Sequence, residues 1–240
     1  MKKNYTHIEV ILDKSGSMAP TISDTLGGLN NFVEAQKKVP GTCSYQLVQF
    51  DSTVELGTHY GNISDVPVLT AATYTPRGNT ALLDAIGVTV STLGSRLAAA
   101  PEEERPSKVI VVIITDGEEN KSTEFKHDDI NKMINHQRDS YKWEFVFLGA
   151  NQDAIKVGTS LGVLKGAAMT YASGKGFVTA GQHTNNMVTA SRIGGSSSSL
   201  GLKLNSYTDS MRKEAVDARP KAQAADPFKI KETNSQGEKV

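Results

Sequence analysis

The sequence has 240 residues, of which 38% are hydrophobic, enough to bury a core in one substantial domain with extra segments or in two small domains. Its 26 basic and 26 acidic residues give a formal net charge of zero, which argues against nucleic acid or an anionic membrane as partner. Cys43 is the single cysteine, which excludes an intrachain disulfide framework and a zinc knuckle. With no signal-peptide pattern and no apolar run of about 18 residues, we expect a cytoplasmic protein.

The first third of the chain predicts a strand, a helix and a hairpin. The first strand is predicted over about 7–12. Apolar residues at helical spacing then predict a helix facing the sheet: Ile22, Leu26, Leu29 and Val33. Two β-rich runs over 43–50 and 53–58, joined by Asp51-Ser52, predict a hairpin.

Further along, strands and helices alternate. The predicted elements are a helix after Thr80, a strand over 109–114, a helix over 126–139, a strand over 143–148 and a short helix near 152–161. The inner strands are apolar on both faces, as buried parallel strands are. This alternation predicts an α/β fold with a doubly wound sheet and helices on both faces.

The pattern weakens towards the C-terminus. A short last strand is predicted over 167–171 and a closing helix over 178–193, which places a domain at 1–193 with its core at about 5–164. Residues 194–205 are rich in Gly and Ser and predict a linker. Residues 206–240 predict a marginal helix followed by a disordered tail.

Oxygen-bearing side chains stand where predicted strands or loops meet other elements. Asp13, Ser15 and Ser17 follow the first strand, with Gly16 allowing the backbone to bend so that both hydroxyls can converge. Thr80 ends a Pro/Gly-punctuated loop before a helix, and Asp116 ends the apolar run KVIVVIITD. Because carboxylates and hydroxyls suit a hard cation, these five residues predict a Mg²⁺ site, with Mn²⁺ or Ca²⁺ also possible.

Three motifs carry a resemblance to a known family. The sequence D-x-S-G-S-M, then P-x-G-N-T-A-L-x-D-A-I, then an apolar strand ending T-D-G-E resembles a von Willebrand factor A domain. The resemblance covers about 5–164 and implies a mostly parallel sheet with one antiparallel edge strand. It also implies a metal-ion-dependent adhesion site formed by Asp13, Ser15, Ser17, Thr80 and Asp116.

The resemblance further implies how the site would act. A cation held mainly by hydroxyls stays electron-poor and binds one more anionic oxygen, so the expected partner is a protein that offers a Glu or Asp side chain. We therefore expect a non-catalytic protein-binding module. Neighbouring residues that could contact this partner are Asp51, Tyr74, Arg77, Asn79, Glu118, Glu119, Asn120 and Asn151.

Two other functions stay open. One is a metal-dependent phosphohydrolase, although the second Asp that usually follows an aspartyl nucleophile by two residues is Ser15 here. The other is a structural or assembly component in which the metal only orders the loops. Neither a G-x-S-x-G elbow nor a phosphate-binding P-loop motif is present in the sequence.

Overall fold

The computed structural model describes residues 1–150, 153–172, 176–194 and 206–218. The strands in these residues are β1 (Lys2–Asp13), β2 (Thr42–Phe50), β3 (Val54–Tyr60), β4 (Pro106–Thr115), β5 (Glu144–Ala150) and β6 (Ala168–Tyr171). The α-helices in them are α1 (Ile22–Lys37), α2 (Leu82–Ala99), α3 (His127–Tyr141), α4 (Ala154–Ser160), α5 (Gly176–Ile193) and α6 (Asp209–Asp217).

The strands form one sheet in the order β3-β2-β1-β4-β5-β6. Only β2 and β3 pair antiparallel among these strands, and the other neighbours are parallel. This confirms the predicted fold class, a doubly wound and mostly parallel sheet with one antiparallel edge strand.

Helices cover both faces because side chains along each strand alternate between them. Ile8, Val10 and Leu12 of β1 pack in the cluster that contains α1 and α5, whereas Ile11 packs in the cluster that contains α2 and α3. The central strands β1 and β4 are therefore buried on both sides, which agrees with their continuous apolar sequence.

The strand order reverses between β1 and β4. The chain runs from β1 outward to β2 and β3, then returns to the other side of β1 and continues through β4 to β6. In such sheets the loops at the carboxyl ends of the strands separate at the reversal and leave a crevice for a ligand. Asp13 is the last residue of β1 and Asp116 directly follows β4, so both lie at this crevice.

The structure extends several predicted elements. Strand β1 begins at Lys2, about five residues earlier than the apolar run indicates, because its exposed start still pairs with Pro106 at the beginning of β4. The predicted hairpin and all three later strands are present, with ends shifted by a few residues. In the segment between β3 and α2, Val66 is buried whereas Val68 is 61% exposed.

Helix α6 packs on the domain although the predicted boundary stands at residue 193. Ala215 is completely buried, and its carbonyl accepts a hydrogen bond from the Ala172 N–H, 3.0 Å away, just after β6. Arg212 also donates to the Ala168 carbonyl at the β6 edge. The described part of the C-terminal segment thus belongs to the same packed unit, whereas residues 195–205 of the predicted linker and the tail after residue 218 lie outside the described residues.

Of the described helices, α2 alone is long and apolar enough by length and composition to cross a membrane. Its apolar face packs against the sheet through Ile86, Val90 and Leu93, each at most 2% exposed. The position of α2 in the core therefore accounts for its apolar composition.

A buried polar cluster lies where β1 meets the second half of α2. His7 Nε2 is 2.8 Å from Glu9 Oε2, and Arg96 Nη2 lies 3.1 Å from the same His7 nitrogen. Burial raises the pKa of Glu9 to about 8 against the opposing charge of Arg96. Burial and the Arg96 charge together lower the pKa of His7 to about 3. Near neutral pH, folding therefore favours the uncharged form of both side chains.

Candidate metal centre

The turn after β1 presents the first three predicted ligands. Asp13 is fully buried, and its Oδ1 accepts a hydrogen bond from the Ser15 N–H at 2.6 Å, which closes the turn. A short 3-10 helix (Gly16–Thr21) follows and carries Ser17. The Ser15 and Ser17 hydroxyl oxygens lie 3.1 Å apart. The bend that Gly16 permits therefore brings both hydroxyls together, as predicted.

The residue after β4 joins this group. The Ser17 hydroxyl donates to Asp116 Oδ1 over 2.7 Å, although the two residues are 99 positions apart in the sequence. Since β1 and β4 are adjacent parallel strands, their carboxyl ends deliver the turn and Asp116 to the same crevice. The contact between them is a direct product of the sheet order.

Thr80 reaches the same place from a third segment. A Cβ atom added to Gly117 would lie 2.8 Å from Thr80 Oγ1 and 3.5 Å from Ser17 Oγ. A side chain at position 117 would therefore crowd the Thr80 hydroxyl, which glycine leaves free of this contact. Thr80 is itself fixed by Asn120, whose side-chain oxygen accepts from the Thr80 N–H at 3.0 Å. These contacts thus place all five predicted ligands around one crevice.

Two buried hydroxyl groups donate hydrogen bonds to Asp13. The Thr115 hydroxyl, at the end of β4, donates to Asp13 Oδ2 at 2.6 Å. The Tyr74 hydroxyl donates to the Asp13 carbonyl at 2.7 Å. Thr115 is a residue that sequence reasoning missed, because a threonine at the end of an apolar run reads as an ordinary strand residue.

The two carboxylates carry an electrostatic cost. Burial raises the pKa of Asp13 to about 6, with hydrogen bonds from Thr115 and Ser15 opposing it and the charge of Asp116 adding to it. Burial also raises the pKa of Asp116 against the hydrogen bond from Ser17. Their ionised forms are therefore destabilised, and a nearby cation would relieve that cost.

Four of the predicted partner contacts stand at the surface around the crevice. Arg77 has a side chain that is 67% exposed, and Asn79, Glu118 and Asn120 are also exposed. Asn151 lies outside the described residues. The exposed four could meet an approaching protein, which remains a prediction.

Three other predicted contacts have internal roles instead. Tyr74 is fully buried and Asp51 is 4% exposed, so the prediction that these side chains contact a partner is wrong. Both instead form hydrogen bonds within the chain next to the crevice. Glu119 Oε2 accepts from the Leu83 N–H at 2.9 Å and so caps the first turn of α2. The sequence of these loops predicts that they are exposed, but in the structure they pack against one another.

Asp84 organises the loop after Asp116. Its carboxylate accepts three backbone N–H groups, from Thr123 at 2.8 Å and from Glu124 and Phe125 at 2.9 Å each. The sequence favours a helix-dipole role for this residue, and no local signal indicates its reach to a loop some 40 residues away. This anchoring holds the loop that follows Asp116 against the start of α2.

The residues present suit a hard divalent cation. Within the described part of the chain, no group of three or more His, Cys, Asp or Glu side chains could hold a metal, so a site here depends on hydroxyl oxygens as well as carboxylates. Two carboxylates and three hydroxyls form an all-oxygen donor set, which Mg²⁺, Mn²⁺ and Ca²⁺ favour over softer metals. The fit rests on this donor chemistry and on the space that Gly117 leaves.

Residues 7–173 match the von Willebrand factor type A domain family. No curated protein matches the chain. A solved structure of proximal thread matrix protein 1 from the mussel byssus is 14% identical with a TM-score of 0.57, over 77% of this chain and 48% of that chain. Another structure of the same protein, described as having a zinc-occupied MIDAS motif, is 15% identical with a TM-score of 0.56 over the same shares.

Two bacterial structures are also similar. A von Willebrand factor type A protein from Catenulispora acidiphila is 12% identical with a TM-score of 0.50, over 79% of this chain and 43% of that chain. A mutant of the PilB minor pilin from Streptococcus sanguinis is 9% identical with a TM-score of 0.54, over 80% of this chain and 64% of that chain. At these identities the likeness shows the fold alone, and the chain spans about half the length of the mussel protein.

Proposed function

Because the chain belongs to the von Willebrand factor type A domain family, we propose that it is a metal-dependent protein-binding module without catalytic activity. Members of this family bind metal and mediate protein interactions. The proposed ligands are Asp13, Ser15, Ser17, Thr80 and Asp116, with Mg²⁺ as the resident ion. We propose a cytoplasmic location for the chain and, as its partner, a protein that offers a Glu or Asp side chain.

One observation carries this proposal. Three segments far apart in the sequence bring hydroxyl and carboxylate oxygens to a single crevice at the reversal of the strand order. The mussel protein shares this fold, and its structure is described as having a zinc-occupied MIDAS motif. This likeness supports the proposal that the crevice binds a divalent metal.

The exposure of the donors supports a binding role. Asp13, Ser15 and Thr80 are each at most 3% exposed, whereas Ser17 is exposed and Asp116 is partly exposed. The crevice is therefore closed on its inner side and open to solvent on the side of Ser17. An acidic side chain of a partner could reach a bound ion from that side.

The donor set also supports ligand capture over hydrolysis. Each carboxylate that contacts a cation cancels part of its charge, so a set with three hydroxyls leaves the cation more strongly attracted to an outside anion. Ser15 stands where aspartyl phosphohydrolases usually carry a second Asp, which removes the expected acid or base from this position.

A titration of the purified chain with Mg²⁺ and Mn²⁺ by calorimetry tests the metal site. We expect binding by the natural chain and loss of binding in Asp13→Ala and Thr80→Val. Thr89→Val is the matched control, since its hydroxyl is buried without a hydrogen-bond partner in the described residues. Unchanged metal binding in Thr80→Val would contradict the proposed ligand set.

A pull-down in Mg²⁺ followed by chelation tests the partner. We expect a partner that is released by EDTA, that is not retained by Thr80→Val, and whose binding is lost when its own acidic residues are replaced. A screen of generic phosphate esters with Mg²⁺ or Mn²⁺ accompanies it. Metal-dependent turnover that disappears with Asp13→Ala would replace the proposal with a hydrolase, and binding that survives chelation would favour a structural role for the metal.

A further inference from the structure

The turn between β2 and β3 lies between the two segments that carry the proposed hydroxyl ligands. On one side, the Lys14 N–H donates to the Phe50 carbonyl at 2.7 Å. On the other, the Ala81 N–H, which directly follows Thr80, donates to the Asp51 carbonyl at 2.9 Å. The end of β2 and the turn that follows it are therefore in backbone contact with the two ligand segments, although neither supplies a proposed ligand.

The Asp51 side chain contacts the same two segments. Its carboxylate accepts from the Thr53 N–H at 2.9 Å, which fixes it within its own turn. Its other oxygen accepts from Arg77 Nε at 3.2 Å and lies 3.8 Å from Lys14 Nζ. Arg77 belongs to the loop that leads to Thr80, and Lys14 stands between Asp13 and Ser15.

Lys14 makes this arrangement unusual because its ammonium group is buried. The residue is 3% exposed, and its Nζ lies 2.6 Å from Glu55 Oε1. A buried charge is costly unless it is paired. Arg77 Nη2 is also 3.5 Å from Glu55, so Lys14, Arg77, Asp51 and Glu55 form a group of two cations and two anions, here called the charge quartet.

We propose that Asp51 is a positioning residue for the metal centre: its buried carboxylate, acting through Lys14 and Arg77, fixes the turn of Ser15 and Ser17 relative to the loop of Thr80. The direct contacts between these segments agree with this role. The Arg77 N–H donates to the Lys14 carbonyl at 2.7 Å, and the Gly16 N–H donates to the Gly78 carbonyl at 3.1 Å. Asp51 orients the side chains that flank both of these hydrogen bonds.

This inference rests on the proposed metal-binding function and assigns a role to residues outside the ligand set. Residues that orient ligands commonly change metal affinity by about 10–100-fold when they are replaced. Asp51→Asn keeps the shape of the side chain and removes the charge that attracts Lys14 and Arg77. We expect Mn²⁺ affinity to fall by about 10-fold or more in this variant.

A double-mutant cycle on the full chain, with Mn²⁺ alone as the probe, separates positioning from simple charge balance. Asp51→Asn, Lys14→Met and their combination are titrated by calorimetry. Amide hydrogen exchange at Gly16 and Ala81 is measured without metal. We expect both single variants to lose affinity, the combination to fall no more than about 2-fold below the weaker single variant, and both amides to exchange faster.

Asp24→Asn is the matched control. Asp24 also accepts two backbone N–H groups, from Phe177 at 3.0 Å and Val178 at 3.3 Å, but it caps α5 and lies outside the charge quartet. We expect Asp24→Asn to lower stability and to leave Mn²⁺ affinity within about 2-fold. Glu55→Gln, at a half-exposed position, tests the charge quartet with a milder change and should lose affinity in the same direction.

Several results would overturn the inference. Wild-type affinity in Asp51→Asn, or in Glu55→Gln if Asp51→Asn does not fold, would show that the charge quartet does not position the ligands. Higher affinity in Lys14→Met, or recovery in the combined variant, would show that Asp51 only neutralises a repelling charge. Additive losses in the cycle would also overturn it. If the natural chain binds no Mn²⁺, the proposed function fails and this inference fails with it.

Discussion

Replacing Thr115 with valine tests the support of Asp13 from beneath the site. Valine has nearly the same shape as threonine, so the change removes the hydroxyl without opening a cavity. Both Thr115 and Asp13 are fully buried, and the lost hydrogen bond is 2.6 Å long. The Gly117 N–H, which donates to the same hydroxyl at 3.1 Å, loses its partner as well.

The expected size follows from these contacts. A hydrogen bond to a charged group contributes about 1.5–3 kcal/mol, and a buried donor without a partner adds to the loss. We therefore expect Thr115→Val to lower the free energy of unfolding by about 2–3 kcal/mol. In a domain of this size each kcal/mol lowers Tm by about 2–4 °C.

Metal binding should weaken in the same variant. Loss of the hydroxyl leaves Asp13 less well oriented and raises its pKa further, since the Thr115 hydrogen bond opposes the effect of burial. Both changes act against a bound cation, and a fall in affinity of about 10–100-fold is expected. Calorimetric titration with Mn²⁺ and thermal unfolding with and without metal measure the two effects.

Thr115→Ser is the control, because it keeps the hydroxyl and removes one methyl group. We expect it to retain metal affinity and to lose about 1 kcal/mol of stability from the missing methyl. The reasoning would be refuted if Thr115→Val bound Mn²⁺ as tightly as the natural chain. It would also be refuted if Thr115→Ser lost affinity to the same extent as Thr115→Val.

Three further predictions concern other contacts. Gly117→Ala should weaken Mn²⁺ binding measured by calorimetry, because its Cβ would lie 2.8 Å from Thr80 Oγ1; unchanged affinity would contradict the placement of Thr80. Tyr74→Phe should lower the free energy of chemical unfolding by about 1–3 kcal/mol, since the carbonyl at the end of β1 loses its buried donor; a stability change near zero would show that this carbonyl finds another partner. The raised pKa of Glu9 predicts that stability falls as pH rises towards about 8, and the lowered pKa of His7 predicts that stability falls as pH drops below about 6.5. The two effects cancel between about pH 4.5 and 6.5. The free energy of unfolding of the natural chain, measured by chemical unfolding, should therefore fall between about pH 6.5 and 8. An equal fall in Glu9→Gln would refute the assignment.

Much of the fold could be predicted because its signals are local. The alternation of apolar strands with helical stripes such as Leu29 and Val33 is set by burial against a two-sided sheet, and the structure follows it. Helix α6 is different, since its sequence is mostly polar and only Ala215 is fully buried. Its packing depends on contacts with β6 and α5, which no local pattern encodes.

The placement of the proposed ligands at one crevice could also be predicted, but the contacts that support them could not. Asp13 and Asp116 end apolar strands, and this position alone places them at the carboxyl edge of a sheet. Tyr74 and Asp51 lie in segments rich in turn residues, which favour an exposed position, yet both are buried by contacts with other loops. Such burial is decided by how loops fold onto one another, so it becomes visible only in three dimensions.

The packing of the last two helices has a practical consequence for dividing the chain. The family match stops at residue 173, before α5 begins, whereas Phe177, Ala180 and Val188 of α5 pack beside α1 on one face of the sheet. A fragment that ends at residue 173 would expose this apolar surface to solvent, and we expect it to aggregate. Experiments on isolated pieces should keep everything through residue 218.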